Sequence, residues 1–403
     1  MKQGPGYWEF VTLLAVMISI TALSIDVMLP ALPEIGRDLH VSHTNDVQLV
    51  VTVLLFGMGI GQLLFGPLSD SFGRKPVIIT GFLIFIIGCL FSIFSDRFEI
   101  MMAGRVIQGV GTGGPRTAII ALVRDRFGGR AMARIMSVVM AIFIVVPVIA
   151  PALGQAVLIL FTWRAVFGVL MIQGIVALTW FAIRQPETLS RNDRIPFTAS
   201  RVLDAVAGVC KNRFSMGYTL ASGFISGALM SYLSSAQQLF QEVYALGREF
   251  PFYMAALALF VGGASFVNSR IVMRFGMRAL SQRAVLLFVL LTTGYLAVTY
   301  QMGGRTPLWL MMAFFAPSFF CMGILFGNLN AIAMEPLKHM AGIGAAIIGS
   351  LSNFISSLAG ALVGRCYDGS ILPLASGFVI LGILTALAMQ WANKTRNRIK
   401  TGR

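Results

Sequence analysis

The sequence predicts an all-α membrane protein in which twelve transmembrane helices form two six-helix bundles. The first observation is composition: 57% of the 403 residues are hydrophobic and only 12% are charged. Soluble globular proteins carry roughly 25% charged residues, so a soluble fold of this length would lack polar surface. The second is that apolar runs recur at the length of about 20 residues that a membrane helix needs. The third is a polar stretch that divides these runs into six and six.

The apolar runs define the predicted elements in order along the chain. The first six lie near residues 8–32, 47–68, 76–95, 99–122, 134–160 and 163–183. The other six lie near residues 214–240, 251–272, 282–301, 307–333, 341–364 and 371–393. The first run is too long for the apolar region of a cleavable signal peptide, so we interpret it as a span. The predicted organisation is an N-terminal bundle over 1–183, a cytoplasmic linker over 184–213 and a C-terminal bundle over 214–403.

The distribution of basic residues predicts the orientation in the membrane. If the N-terminus is cytoplasmic, most of the 31 lysine and arginine residues lie in segments on the inner side. Loops on the cytoplasmic side of membrane proteins carry an excess of Lys and Arg. We therefore expect both termini to be cytoplasmic in a bacterial inner membrane. This topology explains the net charge of +15 without nucleic-acid binding.

Metal, redox and enzymatic chemistry find little support in the sequence. The four cysteines are scattered without a C-x-x-C pair, which argues against a zinc site or a disulfide framework. His40 and His43 have no further ligand near them. No nucleophile–base pair is visible. The sequence also lacks the phosphate-binding loop that an ATP-driven pump would need. The run Gly109–Gly114 fits G-x-G-x-x-G, but it lies in a membrane helix, where we expect it to serve close helix packing.

Three charged residues inside predicted spans are the first candidate site. Asp26 is the only acid well inside a span, and Arg105 and Arg116 lie three helical turns apart in the fourth span. Intramembrane charges are costly and point to function by default. Burial disfavours the charged form of a carboxylate, so Asp26 could carry a proton. The alternatives are that Asp26 pairs with Arg37 near the outer surface, and that Arg105 forms a structural ion pair or binds backbone carbonyls.

A second candidate site is the loop after the second span, from Gly66 to Lys75. Gly73 is expected to supply the backbone freedom of a tight turn. Asp70 could accept hydrogen bonds from a neighbouring helix N-terminus, and Arg74 could bind a carboxylate, for which Asp125 is a candidate. Such links would hold the two bundles together on one face and release them on the other. A weaker copy of the loop follows half a chain later at residues 275–278.

These motifs resemble the major facilitator superfamily. G-x-x-x-D-x-x-G-R-K at residues 66–75 is similar to its loop signature, and Arg105-x-x-Gln108-Gly109 to its fourth-span motif linked to proton coupling. The stretch from Asp26 to Pro33 resembles the end of span one in the bicyclomycin and chloramphenicol exporters.

The fifth span also resembles the drug:proton antiporter branch of that superfamily. Pro147, Pro151 and Gly154 follow its span-five motif, although Ala150 and Gln155 replace two glycines. The resemblance covers essentially the whole chain. It implies proton-driven antiport of small amphiphilic compounds, such as amphenicol-type antibiotics, by alternating access. It further implies a monomer surrounded by lipid, powered by the proton gradient without a cofactor or metal.

Two other functions stay open on the sequence. A proton-coupled nutrient symporter for a sugar or organic acid would need several polar side chains converging on its ligand. The spans offer only Gln108, Asn328, Asn330 and Asn353, which favours export of apolar compounds. A non-transporting receptor or scaffold would have no need of Asp26 or of the loop after the second span.

Overall fold

The computed structural model describes residues 5–127 and 129–400, and all regular structure in those two segments is helical. The α-helices of the first half are α1 Tyr7–Asp26, α2 Leu32–Asp38, α3 Leu49–Phe72, α4 Arg74–Ile93, α5 Phe98–Arg126, α6 Gly129–Leu160 and α7 Trp163–Arg184. Those that follow are α8 Ala199–Lys211, α9 Arg213–Gln237, α10 Phe250–Phe275, α11 Met277–Gln301, α12 Leu308–Met334, α13 Ala341–Arg365 and α14 Leu372–Lys400. Each predicted apolar run overlaps one long helix, although the first run, 8–32, extends past the end of α1 through a 3-10 turn to the start of α2.

Nine helical segments of the described chain are long and apolar enough to cross a membrane, and Val145–Leu160 in α6 is a shorter apolar stretch. Neither α5 nor α9 is among the nine. Both are rich in small residues, and α5 also contains Arg105 and Arg116, so their mean hydropathy is lower. The count of twelve spans and the cytoplasmic termini stay predictions; residues 1–4 and 401–403 lie outside the described segments.

The chain divides into two compact units, Met1–Asp204 and Ala205–Arg403. The predicted linker is not simply a polar stretch, because it contains α8. Val202, Val206 and Val209 recur at helical spacing there, and Val209 is fully buried. This amphipathic helix is too short and too polar overall to resemble the long apolar runs of the sequence.

Within the first unit, glycines let α5 pack tightly against α3 and α4. A Cβ at Gly109 would collide with the backbone carbonyl of Leu54 in α3, and one at Gly111 would collide with the backbone of Phe85 in α4. Small residues allow this close approach of membrane helices. The glycine-rich run is therefore a packing surface, and it positions the side chain of Arg105 next to its partners in other helices.

Within the second unit, aromatic rings fill the space between the helices. The ring of Tyr232 in α9 meets that of Phe319 in α12 edge-on, with 4.8 Å between centroids. Phe315 of α12 lies 5.2 Å from Phe378 of α14. Such edge and tilted contacts are favoured by the ring quadrupoles. They connect three helices of this unit through one cluster.

Candidate functional site

The first helix ends at Asp26, where the chain enters a short 3-10 turn at Leu29–Ala31. Pro30 and Pro33 follow closely and lack the N–H groups that would continue the α-helix. The side chain of Asp26 is buried, with 3% of the residue exposed. Its Oδ1 atom has no hydrogen-bond partner in the described part of the chain. No ion pair joins Asp26 to Arg37 or to another described cation, so the alternative of an Asp26–Arg37 pair finds no support there.

Arg105 is completely buried in α5 and its guanidinium binds backbone oxygens of two other helices. Nε donates to the carbonyl of Val50 in α3 (2.8 Å), and Nη2 donates to the carbonyl of Ser24 in α1 (2.9 Å). The guanidinium carbon also lies 5.8 Å from the ring centre of Phe167. Arg105 is thus a carbonyl-bonded arginine, as one of the two interpretations expected, and it fastens α1 and α3 to α5.

Gln108 extends this network. Its Oε1 accepts from Nη1 of Arg105 (2.7 Å), and its Nε2 donates to Oγ of Ser92 in α4 (3.1 Å). Both residues are fully buried. The three-residue spacing on α5 puts the two side chains on one face, which is why they meet. One polar chain therefore runs from Ser92 through Gln108 and Arg105 to Ser24, two residues before Asp26.

Arg116 lies in a different environment from Arg105. It follows three turns along α5 and is half-buried, whereas Arg105 is inaccessible. The helical period places both on nearly the same face of α5, as the sequence predicts. Their different burial means that the two arginines do not form a uniform polar stripe.

The span-five motif lies against the end of α1. A Cβ at Gly154 in α6 would collide with the backbone carbonyl of Val27, the residue after Asp26. Pro151, one turn earlier, is buried, and Pro147 is half-buried. Glycine is thus required for the contact between α6 and the segment that carries Asp26. Sequence reasoning identified Gly154 through its motif but did not place it beside Asp26.

A second cluster surrounds Arg74, the first residue of α4. Its Nε donates to Asp125 Oδ2 (2.9 Å), and its Nη1 donates to Asp70 Oδ1 (2.5 Å) and Ser69 Oγ (2.7 Å). Two carboxylates therefore flank one buried guanidinium. The structure brings Asp70, Arg74 and Asp125 together, but all of them belong to the first unit, so these bonds are not the expected links between the two bundles. Gly66 lies inside α3, one turn before Asp70, where Pro67 follows it.

Glu187, which the sequence reasoning missed, caps the N-terminus of α4. Its carboxylate accepts from the backbone N–H groups of Arg74 (3.0 Å) and Lys75 (3.1 Å). An acid at this position also suits the positive end of the helix dipole. Asp70 was expected to bind a helix N-terminus, but its side chain contacts the guanidinium of Arg74 instead.

Gly73 makes room for this cap. Its backbone adopts φ 106° and ψ 160°, and a Cβ there would collide with the carboxylate of Glu187. Glycine tolerates a positive φ without a steric penalty. The linker is also tied to α3, because the N–H of Ile195 donates to the carbonyl of Asp70 (3.1 Å). The loop after the second span and the start of the linker therefore form one hydrogen-bonded assembly.

The asparagine side chains in the helices of the second unit form hydrogen bonds to different extents. Asn268 of α10 and Asn328 of α12 exchange two amide hydrogen bonds of 3.0 Å. Asn330 donates to the carbonyl of Phe326. Nδ2 of Asn353 is buried without a hydrogen-bond partner among the described residues.

The described segments contain no group of three or more His, Cys, Asp or Glu residues suited to a metal.

The chain is similar to known proteins over most of its length. The Major Facilitator Superfamily model matches residues 14–361. The uncharacterised MFS-type transporter YdgK of Bacillus subtilis is 31% identical over 391 residues, with 95% of each chain covered. The bicyclomycin resistance protein homolog of Haemophilus influenzae is 28% identical over 393 residues, with 96% of this chain and 97% of the relative covered.

A solved structure shares the fold. The human organic anion transporter MFSD10 superposes with a TM-score of 0.72 at 16% sequence identity. The alignment covers 96% of this chain and all of the human chain.

Proposed function

Because the chain belongs to the Major Facilitator Superfamily, we propose that it exports small amphiphilic compounds in exchange for protons. Members of this family are transporters rather than enzymes. The chain is accordingly a multi-pass transporter of the bacterial inner membrane that moves small molecules. The direction of transport, the proton coupling and the compounds are the parts that we propose.

The proposal depends on the buried environment of the Asp26 carboxylate. A carboxylate that is buried with an unpartnered Oδ1 is costly when charged, so it favours taking up a proton. The same carboxylate can ionise when water or a polar compound reaches it. Asp26 therefore alternates between a protonated and an ionised form, and each form favours a different conformation of the transporter.

Arg105 supports this exchange through the backbone rather than by an ion pair. Its bond to the carbonyl of Ser24 holds the last turn of α1, from which Asp26 projects. Gln108 in turn fixes the orientation of the guanidinium. We propose that this network positions Asp26 for taking up and releasing its proton.

The cluster around Arg74 is proposed to act as a conformational gate. Asp70 and Asp125 compensate its charge and Glu187 caps α4, so the turn between α3 and α4 is stabilised in one conformation. Rearrangement of these bonds would accompany alternating access. We propose that the functional unit is a monomer with twelve spans and cytoplasmic termini, driven by the proton gradient without a cofactor.

Export of amphiphilic compounds is preferred to nutrient uptake for two reasons. A relative similar over nearly its whole length is named a bicyclomycin resistance protein homolog. In addition, Asn268 and Asn328 satisfy each other, so fewer polar side chains remain to bind a sugar or an organic acid. Amphenicol-type antibiotics are suitable first probes. A proton-coupled nutrient symporter is the second candidate, and Asn353 is then the amide to test.

Chloramphenicol movement in inverted membrane vesicles tests the proposal. Vesicles with the wild-type protein should accumulate the drug only when their lumen is made acidic. Vesicles with Asp26→Asn should not accumulate the drug under the same gradient. Asp96→Asn is the matched control, because Asp96 is an exposed acid of the same unit. Accumulation by Asp26→Asn equal to that of the wild type would overturn the role of Asp26. Uptake of a sugar or organic acid by whole cells, with no drug movement, would favour the symporter.

A further inference from the structure

The end of α10 and the beginning of α11 concentrate positive charge. Arg270, Arg274, Arg278 and Arg283 lie within four turns of helix around the connection between them. The sequence contains no acidic residue between Glu249 and Glu335. This part of the second unit therefore differs from the loop after α3 in the first unit, where Asp70 and Asp125 compensate Arg74.

The ion pairs divide these four arginines into two groups. Arg278 forms an ion pair with Glu335, and its guanidinium lies over Phe214. Arg270, Arg274 and Arg283 are exposed, and no ion pair joins them to an acid in the described segments. Three positive charges are thus left for a partner outside the chain.

Aromatic rings hold these three guanidinium groups in place. Arg270 lies over the ring of Phe266 at 4.4 Å from the centroid. Arg274 and Arg283 lie at 5.4 and 5.8 Å from the centroid of one ring, Phe275. A guanidinium attracted to a ring face keeps N–H donors in its own plane, so it can still bind an anion. Two arginines from different helices therefore converge on one aromatic residue.

The same surface is also apolar. Phe266 is 60% exposed, Phe275 is 45% exposed and Met273 is 90% exposed. At the repeat position of the first unit, an aspartate, Asp70, stands where Met273 stands here. A surface that combines exposed apolar groups with uncompensated arginines, at the end of an apolar helix long enough to cross a membrane, suits a molecule with an anionic head and an apolar tail.

We propose that Arg270, Arg274 and Arg283, together with Phe266 and Phe275, bind the headgroup of an anionic phospholipid. The arginines donate to the phosphodiester oxygens, since guanidinium groups match phosphate geometry. The acyl chains lie along the apolar surface of α10. Cardiolipin, with two phosphates, fits two or three arginines better than a lipid with one phosphate. This site does not depend on the proposed direction of transport or on Asp26.

Native mass spectrometry of the purified full chain tests the proposal. The protein is supplied in detergent with cardiolipin, with phosphatidylglycerol or with zwitterionic phosphatidylethanolamine, and bound lipid is counted. The test variant is R270Q/R274Q/R283Q. The matched control is R37Q/R97Q/R305Q, which removes three exposed arginines at other helix ends. Elution as a single peak and an unchanged thermal midpoint without lipid show that both variants are folded.

Wild type and control should retain cardiolipin under conditions that remove phosphatidylethanolamine. The test variant should bind cardiolipin about a hundredfold more weakly, because each arginine near an anionic lipid contributes about fivefold. Equal retention by the test variant and the wild type would overturn the site. Equal loss in the control would also overturn it, since the effect would then be that of total charge. Retention of phosphatidylethanolamine as strong as that of cardiolipin would contradict an anionic headgroup site.

Discussion

The guanidinium of Arg105 donates a hydrogen bond of 2.9 Å to the backbone carbonyl of Ser24, two residues before Asp26. A buried charge in α5 is thereby attached to the last turn of α1, where the buried carboxylate lies. Any movement of α1 relative to α5 changes the surroundings of both charged groups at once. This relationship makes the position of Arg105 as important as its charge.

Replacing Arg105 should therefore damage the protein even where charge is kept. Lysine cannot reach the carbonyls of Ser24 and Val50 and the amide of Gln108 together, because it lacks the planar fork of arginine. We expect Arg105→Lys to fold but to lose most proton-driven transport. Arg105→Ala should lower the unfolding free energy by about 2–5 kcal/mol, since it removes three buried hydrogen bonds and leaves Oε1 of Gln108 without its donor.

Thermal unfolding in detergent and vesicle transport measure these two effects. Arg97→Ala is the control, because Arg97 is exposed just before the same helix. It should change the unfolding free energy by less than about 0.5 kcal/mol. Full transport by Arg105→Lys would show that charge alone is needed at this position.

The contact of Gly154 with Val27 predicts a strong effect of one methyl group. A Cβ at Gly154 would collide with the carbonyl of Val27, so Gly154→Ala must push α6 away from the segment after Asp26. We expect lower thermal stability and reduced transport. Gly168 in α7 is the matched control, since a Cβ there would meet nothing within 4 Å. Gly168→Ala should be neutral or stabilising by about 0.5–1 kcal/mol, and an equal loss in both variants would contradict the contact.

Glu187 should stabilise the turn between α3 and α4 although it lies in the linker. Glu187→Ala removes the acceptor of the Arg74 and Lys75 amides, and loss of a helix cap costs about 1 kcal/mol. We expect increased hydrogen exchange at the first turn of α4 and slower transport. Asp193→Ala changes an exposed acid of the same linker and should leave exchange in α4 unchanged. Unaltered exchange in Glu187→Ala would exclude the cap.

The paired amides of Asn268 and Asn328 should show energetic coupling. Each single replacement by leucine leaves the partner amide unsatisfied, whereas the double replacement removes both polar groups. We expect the double variant to be more stable than the sum of the two single effects predicts, by about 0.5–2 kcal/mol. A double-mutant cycle of unfolding free energies measures this term. Strict additivity would mean that the amides do not interact in the membrane.

Much of the helical architecture could be predicted from the sequence because membrane helices are long and apolar. Every predicted run overlaps a long helix, and membership of the major facilitator superfamily is confirmed by the family match. The sequence predicts that Gly73 supplies the backbone freedom of a tight turn between two spans. Its positive φ agrees with that expectation.

Other features depend on where distant segments meet, and no local pattern reports that. Glu187 looks like an ordinary linker acid in the sequence, and only the folded chain shows it at the start of α4. The contact between Gly154 and Val27 joins α6 to the segment after α1, and the two residues are 127 positions apart in the chain. In the same way, α8 is short and lies in a polar stretch, so it does not stand out among the long apolar runs.

Release of protons on substrate binding tests the role of Asp26 most directly. Purified protein in weakly buffered detergent solution is mixed with chloramphenicol, and a pH indicator reports the protons released. We expect the wild type to release protons, because bound substrate favours the ionised form of Asp26. Asp26→Asn should bind the drug and release none, while Asp96→Asn should release as many as the wild type. Proton release by Asp26→Asn equal to that of the wild type would contradict the account and assign the proton to another group.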